Sequence, residues 1–192
     1  MSEKQIEELT DLTSRMASVT ADWPAYWSLY SNMGTWQFWV NLLILLVPLL
    51  FLAFALDRKT AFRVGFYGLL VHMTFTYIDA FGTTHGLWEY PYKLLPFLPV
   101  SFGLDASLVP VSYMLVYQWV LKSGKNYYVY AGALSLFFSF VFKPLLTYLD
   151  LFQLYRGMNY WLLCLGYITI ALLSKWITDL FAQYQMKAVK GT

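Results

Sequence analysis

The sequence predicts an all-α protein, a polytopic bundle of transmembrane helices, and two observations lead to this prediction. First, the 192-residue chain is 59% hydrophobic and 12% charged, whereas an ordinary soluble domain has about 25% charged residues. Second, the charges gather in short clusters that leave five long apolar segments between them, and a helix needs only about 20 such residues to cross a bilayer. The lipid bilayer is therefore the first partner that the sequence predicts.

Residues 1–35 are predicted to form an amphipathic helix followed by an aromatic segment at the membrane interface. One face of this helix is apolar and the other is acidic. The polar face therefore lacks the basic residues with which surface helices bind anionic lipids. We expect the helix to lie on the protein's own surface or on a partner, either another protein or a second copy of the chain. It should end at Asp22-Trp23-Pro24, because proline breaks helices. Its apolar stripe, spaced by three or four residues, consists of Ile6, Leu9, Leu12, Met16 and Val19.

The membrane domain is predicted over residues 36–181, and a cytoplasmic tail over 182–192. An outer loop at 83–104 is rich in proline and aromatic residues. Prolines also fall inside the spans, where neighbouring helices can satisfy the freed carbonyl groups. The five spans are predicted at about 36–56, 61–81, 102–121, 127–149 and 160–181.

Basic residues predict the orientation of the bundle. Seven of them lie in the turns after the first and third spans and in the tail, and four lie on the other side. Cytoplasmic loops carry an excess of Lys and Arg. The amino terminus is therefore expected outside and the carboxyl terminus in the cytoplasm.

Two spans each carry a stripe of small and polar residues. Such stripes let helices approach closely and hydrogen-bond across the contact, so both should look inward, where they could face each other. In the second span the stripe is Gly65, Gly68, His72, Thr76, Asp79 and Thr83, and in the fourth it is Gly132, Ser135, Ser139, Lys143, Thr147 and Asp150.

Asp79 and Lys143 are predicted to lie at the same depth. At about 1.5 Å per residue, both are equally far from the cytoplasmic start of their helices, near the outer boundary where Asp105 begins the third span. Charged residues at such a depth usually pair or mark a functional cavity. A bridge from Lys143 to Asp79 or Asp105 is the simplest arrangement, and a structural ion pair and a working site both stay open.

The outer loop is predicted to cover this level of the bundle. Its prolines forbid a continuous helix and favour a rigid extended course. Either it closes a half-buried ligand pocket, or it is a connector that seals the bundle. The pocket candidates are Asp79, His85, Trp88, Glu89, Tyr90, Lys93, Asp105 and Lys143, with His72, Thr76, Ser135 and Ser139 on the intramembrane polar faces.

No recognised catalytic or metal-binding motif occurs in the sequence. GxSxG, P-loop and HExxH patterns are missing, so we expect no metal and no cofactor. Glu89 and Asp105 could act as acid and base, but their spacing is not specific. Catalytic residues are therefore unassigned, and whether the protein is an enzyme stays open. The net charge of +2 is too small to predict nucleic-acid binding.

A series of motifs along the chain resembles an uncharacterised family of small five-span membrane proteins from endospore-forming Gram-positive bacteria. This resemblance implies the bacterial cytoplasmic (inner) membrane. The family is often acidic just before the position of Pro144, where this chain has Lys143. The motifs are Tyr26-Trp27, Asp57-Arg58-Lys59, Asp79, Gly86-Leu-Trp-Glu-Tyr-Pro-Tyr, Pro96-Phe-Leu-Pro, Asp105, Tyr113-Met-Leu-Val-Tyr-Gln118, Pro144-Leu-Leu and Ser174-Lys-Trp.

The pattern of Asp79, Gly86, Trp88 and Tyr90 is also faintly similar to membrane-embedded lycopene cyclase domains. Their Pro-x-Glu-Glu-type acidic motif does not occur here. The likeness implies a bundle able to hold a long apolar ligand and does not imply cyclase activity.

The sequence therefore favours two functions. The first is binding of a lipid or isoprenoid-like molecule in an outward-facing pocket under the outer loop, with acidic and basic residues at its polar end. The second is a structural or interaction role, with the amino-terminal helix as the partner surface. Five spans without a visible inverted repeat give less support to a transporter.

Overall fold

The fold comes from a computed structural model that describes the backbone of residues 1–190 and the side chains of residues 1–187. It is all-helical apart from one pair of two-residue strands. The elements are α1 (Glu3–Tyr30), α2 (Trp36–Ala55), α3 (Ala61–Thr84), β1 (Trp88–Glu89), a π-helical turn (Leu104–Leu108) leading into α4 (Val109–Ser123), α5 (Tyr127–Phe137), a second π-helical turn (Phe138–Phe142) leading into α6 (Lys143–Tyr148), β2 (Gln153–Leu154) and α7 (Tyr160–Lys190).

In the described part of the chain, four helices are long and apolar enough to cross a membrane. The helical fold confirms the predicted all-α class, and these apolar helices fit a membrane protein. The remaining predicted span forms α3, a 24-residue helix, whose polar stripe lowers its hydropathy. The four are Trp36–Ala55, Leu104–Ser123, Tyr127–Tyr148 and Tyr160–Lys187. The predicted tail at 182–192 begins inside α7, and residues 191 and 192 lie outside the described residues.

The amino-terminal helix does not end where the sequence predicted. It continues through Pro24 to Tyr30, so the expected break at Asp22-Trp23-Pro24 was wrong. Proline removes one backbone hydrogen bond, but the helix surface is exposed here and water can satisfy the freed carbonyl group. Beyond the proline, the indole of Trp27 donates to the carbonyl oxygen of Lys93 at 2.9 Å, which holds the last turns against the outer loop.

Helix α4 occupies the centre of the bundle, between α3 and α5. Gly68 of α3 lies so close to Met114 that an added Cβ would come within 2.2 Å of the sulfur atom. On the other side, the hydroxyl groups of Tyr113 and Ser135 lie 2.7 Å apart. Part of each polar stripe therefore faces inward, and at Gly68 and Ser135 the stripes contact α4 and not each other.

Each π-helical turn ends just before a proline. Val109 and Lys143 follow the two turns, and Pro110 and Pro144 come next. Proline cannot donate a hydrogen bond to the carbonyl group four residues earlier, which removes an α-helical bond where each turn widens. Turns of this kind are rare and often occur at functional sites, and here they adjoin Asp105 and Lys143.

The outer loop folds back onto the bundle. Its residues Trp88 and Glu89 pair antiparallel with Leu154 and Gln153, which ties the loop to the segment between α6 and α7. Trp88 packs over Gly82 of α3, where a Cβ would lie 1.9 Å from the indole ring. This glycine lets the ring reach the interior of the bundle.

Candidate functional site

Asp79 is the best-connected polar residue at the end of the bundle that carries the outer loop. It is 3% exposed. Its Oδ1 accepts hydrogen bonds from the Trp88 indole at 2.8 Å and from the Tyr90 hydroxyl at 2.7 Å, and its Oδ2 accepts one from the Ser101 backbone at 3.4 Å. A buried carboxylate needs such donors, so the loop residues complete the environment of Asp79.

Lys143 reaches the same group from the other side of the bundle. Its Nζ donates to the Tyr90 hydroxyl at 3.0 Å and lies 3.7 Å from the centre of the Phe152 ring. Within residues 1–187 it makes no salt bridge shorter than 4.0 Å to a carboxylate. The predicted direct bridge from Lys143 to Asp79 or Asp105 is therefore not formed; instead, the hydroxyl of Tyr90 lies between Lys143 and Asp79.

Asp105 lies beside this chain of hydrogen bonds, with its carboxyl group next to that of Asp79. It is 1% exposed, and neither carboxylate oxygen has a hydrogen-bond donor among the described residues. Asp79 and Lys143 are the charged groups that act on it electrostatically. Its backbone carbonyl oxygen lies 2.7 Å from Nδ1 of His72, so this residue of the polar stripe holds the π-helical turn.

A cavity of about 240 Å³ opens beside the polar group, between α3, the loop and α7. Its mouth includes Phe81 and Leu162, which are exposed on the outside of the bundle. The lining is apolar except at the inner end, where Asp79, Lys143 and Tyr167 lie. The other lining residues are Phe75, Ile78, Leu87, Trp88, Met158, Leu163, Gly166 and Ile170.

The hydroxyl of Tyr167 has no hydrogen-bond partner in the described part of the chain. The residue is 3% exposed and lines the cavity together with Asp79 and Lys143. The sequence did not single out Tyr167, because one tyrosine within an apolar span looks like any other core residue. Its position opposite the polar stripe of α3 appears only in the fold.

The remaining candidates lie away from the cavity. His85 is exposed and stacks on Phe81 with 4.1 Å between the ring centres. Glu89 forms a salt bridge with Lys93 at 3.4 Å, and the Lys93 ammonium also lies 3.5 Å from the centre of the Trp23 ring. Burial lowers the pKa of Lys93, and the charge of Glu89 opposes this change. These contacts hold α1 against the loop.

The loop tyrosine is held in its neutral form. Burial raises the pKa of Tyr90 well above its usual value, and the charge of Asp79 raises it further. Tyr90 therefore keeps its proton and can donate to Asp79 while it accepts from Lys143. No group of three or more His, Cys, Asp or Glu side chains that could hold a metal occurs in the described residues.

No protein-family model, curated protein or solved structure matches the chain. The resemblances named above therefore stay predictions. What can be said about function rests on the cavity and its polar end.

Proposed function

We propose that this membrane protein binds a lipid or isoprenoid-like molecule in the cavity between α3, the outer loop and α7. One observation supports this most directly. The cavity is lined by apolar side chains, some of them exposed on the outside of the bundle, and its polar lining residues Asp79, Lys143 and Tyr167 are buried. A ligand with an apolar chain and a small polar head matches this distribution, as is usual for small-molecule sites.

The path into the cavity fits the same proposal. Its mouth lies between two helices at the level of exposed apolar side chains such as Phe81 and Leu162. A molecule dissolved in the bilayer would enter sideways, without crossing water. The chain would lie against the aromatic and aliphatic lining, and the head would meet Lys143 and Tyr167.

The membrane placement is part of the proposal. We place the protein in a bacterial cytoplasmic membrane with five spans, of which α3 is the second, and with the outer loop facing outward. The excess of basic residues at the opposite end of the bundle supports this orientation. The ligand would then bind near the outer leaflet.

Mass spectrometry of the gently purified full-length protein tests the proposal. The protein should retain an apolar molecule in native spectra and in lipid extracts. Gly166→Leu should remove it, because a Cβ at Gly166 meets no atom within 4 Å and a larger side chain would extend into the cavity.

Gly65→Leu is the matched control. Gly65 is also a half-buried helical glycine with no atom within 4 Å of an added Cβ, but it does not line the cavity. This variant should keep the ligand. Wild-type protein without any retained molecule, or equal retention by the two variants, would contradict the proposal.

A second function is favoured by the exposure of α1. The apolar stripe from Ile6 to Val19 is at least half exposed at each position, with Ile6 at 50% and Met16 at 72%. A partner protein or a second copy of the chain could cover this stripe. Polar substitutions at Ile6, Leu9 and Met16 should then abolish partner capture from solubilised membranes, while Gly166→Leu should leave it intact.

A further inference from the structure

We infer that the ligand of this cavity is a neutral single-chain molecule with a hydroxyl or carbonyl head, and that phosphorylated isoprenoids are excluded. This inference rests on the proposed function and specifies the chemistry of the same site. Three features of the site support it: the balance of its charges, a hydroxyl group free to form hydrogen bonds, and the size of the cavity.

The charges at the inner end leave no surplus positive charge for an anion. Asp79, Asp105 and Lys143 are all almost fully buried, and two acids to one base leave a net negative charge. One bound proton on either carboxyl group would raise the total only to zero. A phosphate head would add negative charge beside these buried groups, which is strongly unfavourable without a paired cation.

The one cation in the cavity is already engaged. The Lys143 ammonium donates to Tyr90, whose hydroxyl donates to Asp79. The Phe152 ring lies 3.7 Å from the ammonium and stabilises its charge from one face. A phosphate would meet a cation whose charge the neighbouring carboxylates already balance, and among the described residues no other basic side chain lines the cavity.

Tyr167 can form a hydrogen bond with an uncharged head group of the ligand. Its hydroxyl is unpartnered among the described residues and lies at the polar end of the cavity. A phenol hydroxyl can both donate and accept a hydrogen bond, so it can bind an alcohol or a carbonyl group. The remaining protons of the Lys143 ammonium can donate to the same oxygen atom.

The size of the cavity favours one chain. Its volume of about 240 Å³ lies just below the range of about 300–1,000 Å³ typical of small-molecule sites. One branched hydrocarbon chain that partly protrudes from the open mouth fits this space. A diacyl lipid would have to leave one of its chains outside.

The test compares two probes that share one chain. Farnesol and farnesyl phosphate are titrated against the full-length protein in detergent, and binding is measured by competition with a fluorescent farnesol analogue. Farnesol should bind at least tenfold more tightly. Farnesyl phosphate binding as tightly as farnesol, or more tightly, overturns this inference and leaves the proposed cavity intact.

A variant on α7 tests the role of the free hydroxyl. Tyr167→Phe should weaken farnesol binding about fivefold, the effect of one neutral hydrogen bond. Tyr160→Phe is the control on the same helix, because the Tyr160 hydroxyl bonds to Thr147 and does not line the cavity. Equal effects of both variants would overturn the assignment of Tyr167. Failure of both probes to bind wild-type protein would overturn the proposed function as well.

Discussion

Asp79 and Asp105 are two buried carboxylates of one polar cluster, and they differ in what they contact. Asp79 accepts from two loop side chains and a backbone amide. Asp105 accepts from no described residue. A hydrogen-bonded carboxylate contributes to stability, whereas an unpartnered one mainly costs desolvation.

This difference predicts opposite effects of the same substitution. Asp79→Asn should lower the free energy of unfolding by about 3 kcal/mol, because bonds to a charged acceptor are lost and one donor is left without a partner. Asp105→Asn should leave stability unchanged or raise it. Thermal unfolding of both variants in the same detergent measures the contrast. A larger loss for Asp105→Asn would show that this carboxylate has a partner in the native protein.

Part of the site could be predicted from single residues. Asp79, Asp105 and Lys143 are conspicuous because charges inside apolar spans are rare, and helix geometry placed two of them at one depth. Trp88 and Tyr90 followed from their place in the loop. Tyr167 and Phe152 did not, since aromatic residues are frequent in this chain, with 16 tyrosines and 15 phenylalanines. Their roles depend on how α7 and the segment before it pack.

At the scale of elements, two prolines explain where the helices change geometry. Pro110 and Pro144 stand at the same distance behind their π-helical turns, and these turns carry or adjoin Asp105 and Lys143. The sequence shows that prolines fall within the predicted spans, but it did not predict the π-helical turns. The position of a proline in the sequence determines which backbone carbonyl group loses its hydrogen bond. The helix geometry that results depends on the neighbouring helices.

Helix α1 shows the limit of a local rule. Pro24 was expected to end the helix, yet the helix continues because the affected carbonyl group is exposed and the following turns contact the loop. The amphipathic pattern itself was predicted, whereas the exposure of its apolar stripe could not be predicted from the sequence. An amphipathic pattern does not reveal whether the apolar face is covered by the same chain.

Because the apolar stripe of α1 is exposed, we expect substitutions in it to change the free energy of unfolding very little. The double variant Leu9→Gln and Leu12→Gln should change the free energy of unfolding by less than about 0.5 kcal/mol, as surface substitutions usually do. Leu146→Gln is the buried comparison, since Leu146 is 4% exposed; it should cost about 3 kcal/mol by burying an unpartnered amide. Thermal unfolding in detergent measures both. A large loss from the α1 variant would mean that the stripe is packed in the native assembly.

At the scale of the whole molecule, the two ends of the bundle are held by different chemistry. The loop end has the hydrogen-bonded group around Asp79. The opposite end has exposed or half-buried ion pairs, Arg63 with Asp179 at 2.7 Å and Lys122 with Asp57 at 2.9 Å. The hydrogen bond from Lys122 lowers the pKa of Asp57. Charge pairing of this kind suits the boundary of a membrane.

The number of spans decides which sides the termini occupy. Five spans, with α3 counted, put them on opposite sides, and four spans put them on the same side. The chain has one cysteine, Cys164, which is buried, so an introduced cysteine can be labelled with little background. With a membrane-impermeant maleimide on intact cells, Ser2→Cys should react and Gln185→Cys should react only after permeabilisation. Equal labelling of the two variants would contradict five spans.

Photo-crosslinking tests the central claim, binding of an apolar ligand between α3 and α7, most directly. A farnesol analogue with a diazirine in its chain is added to the full-length protein in lipid bilayers, irradiated, and located by peptide mass spectrometry. The cavity predicts adducts on Phe75–Phe81 and on Met158–Ile170, lost in Gly166→Leu and kept in Gly65→Leu. Adducts confined to the lipid-exposed surface of α2, and equal in both variants, would contradict it.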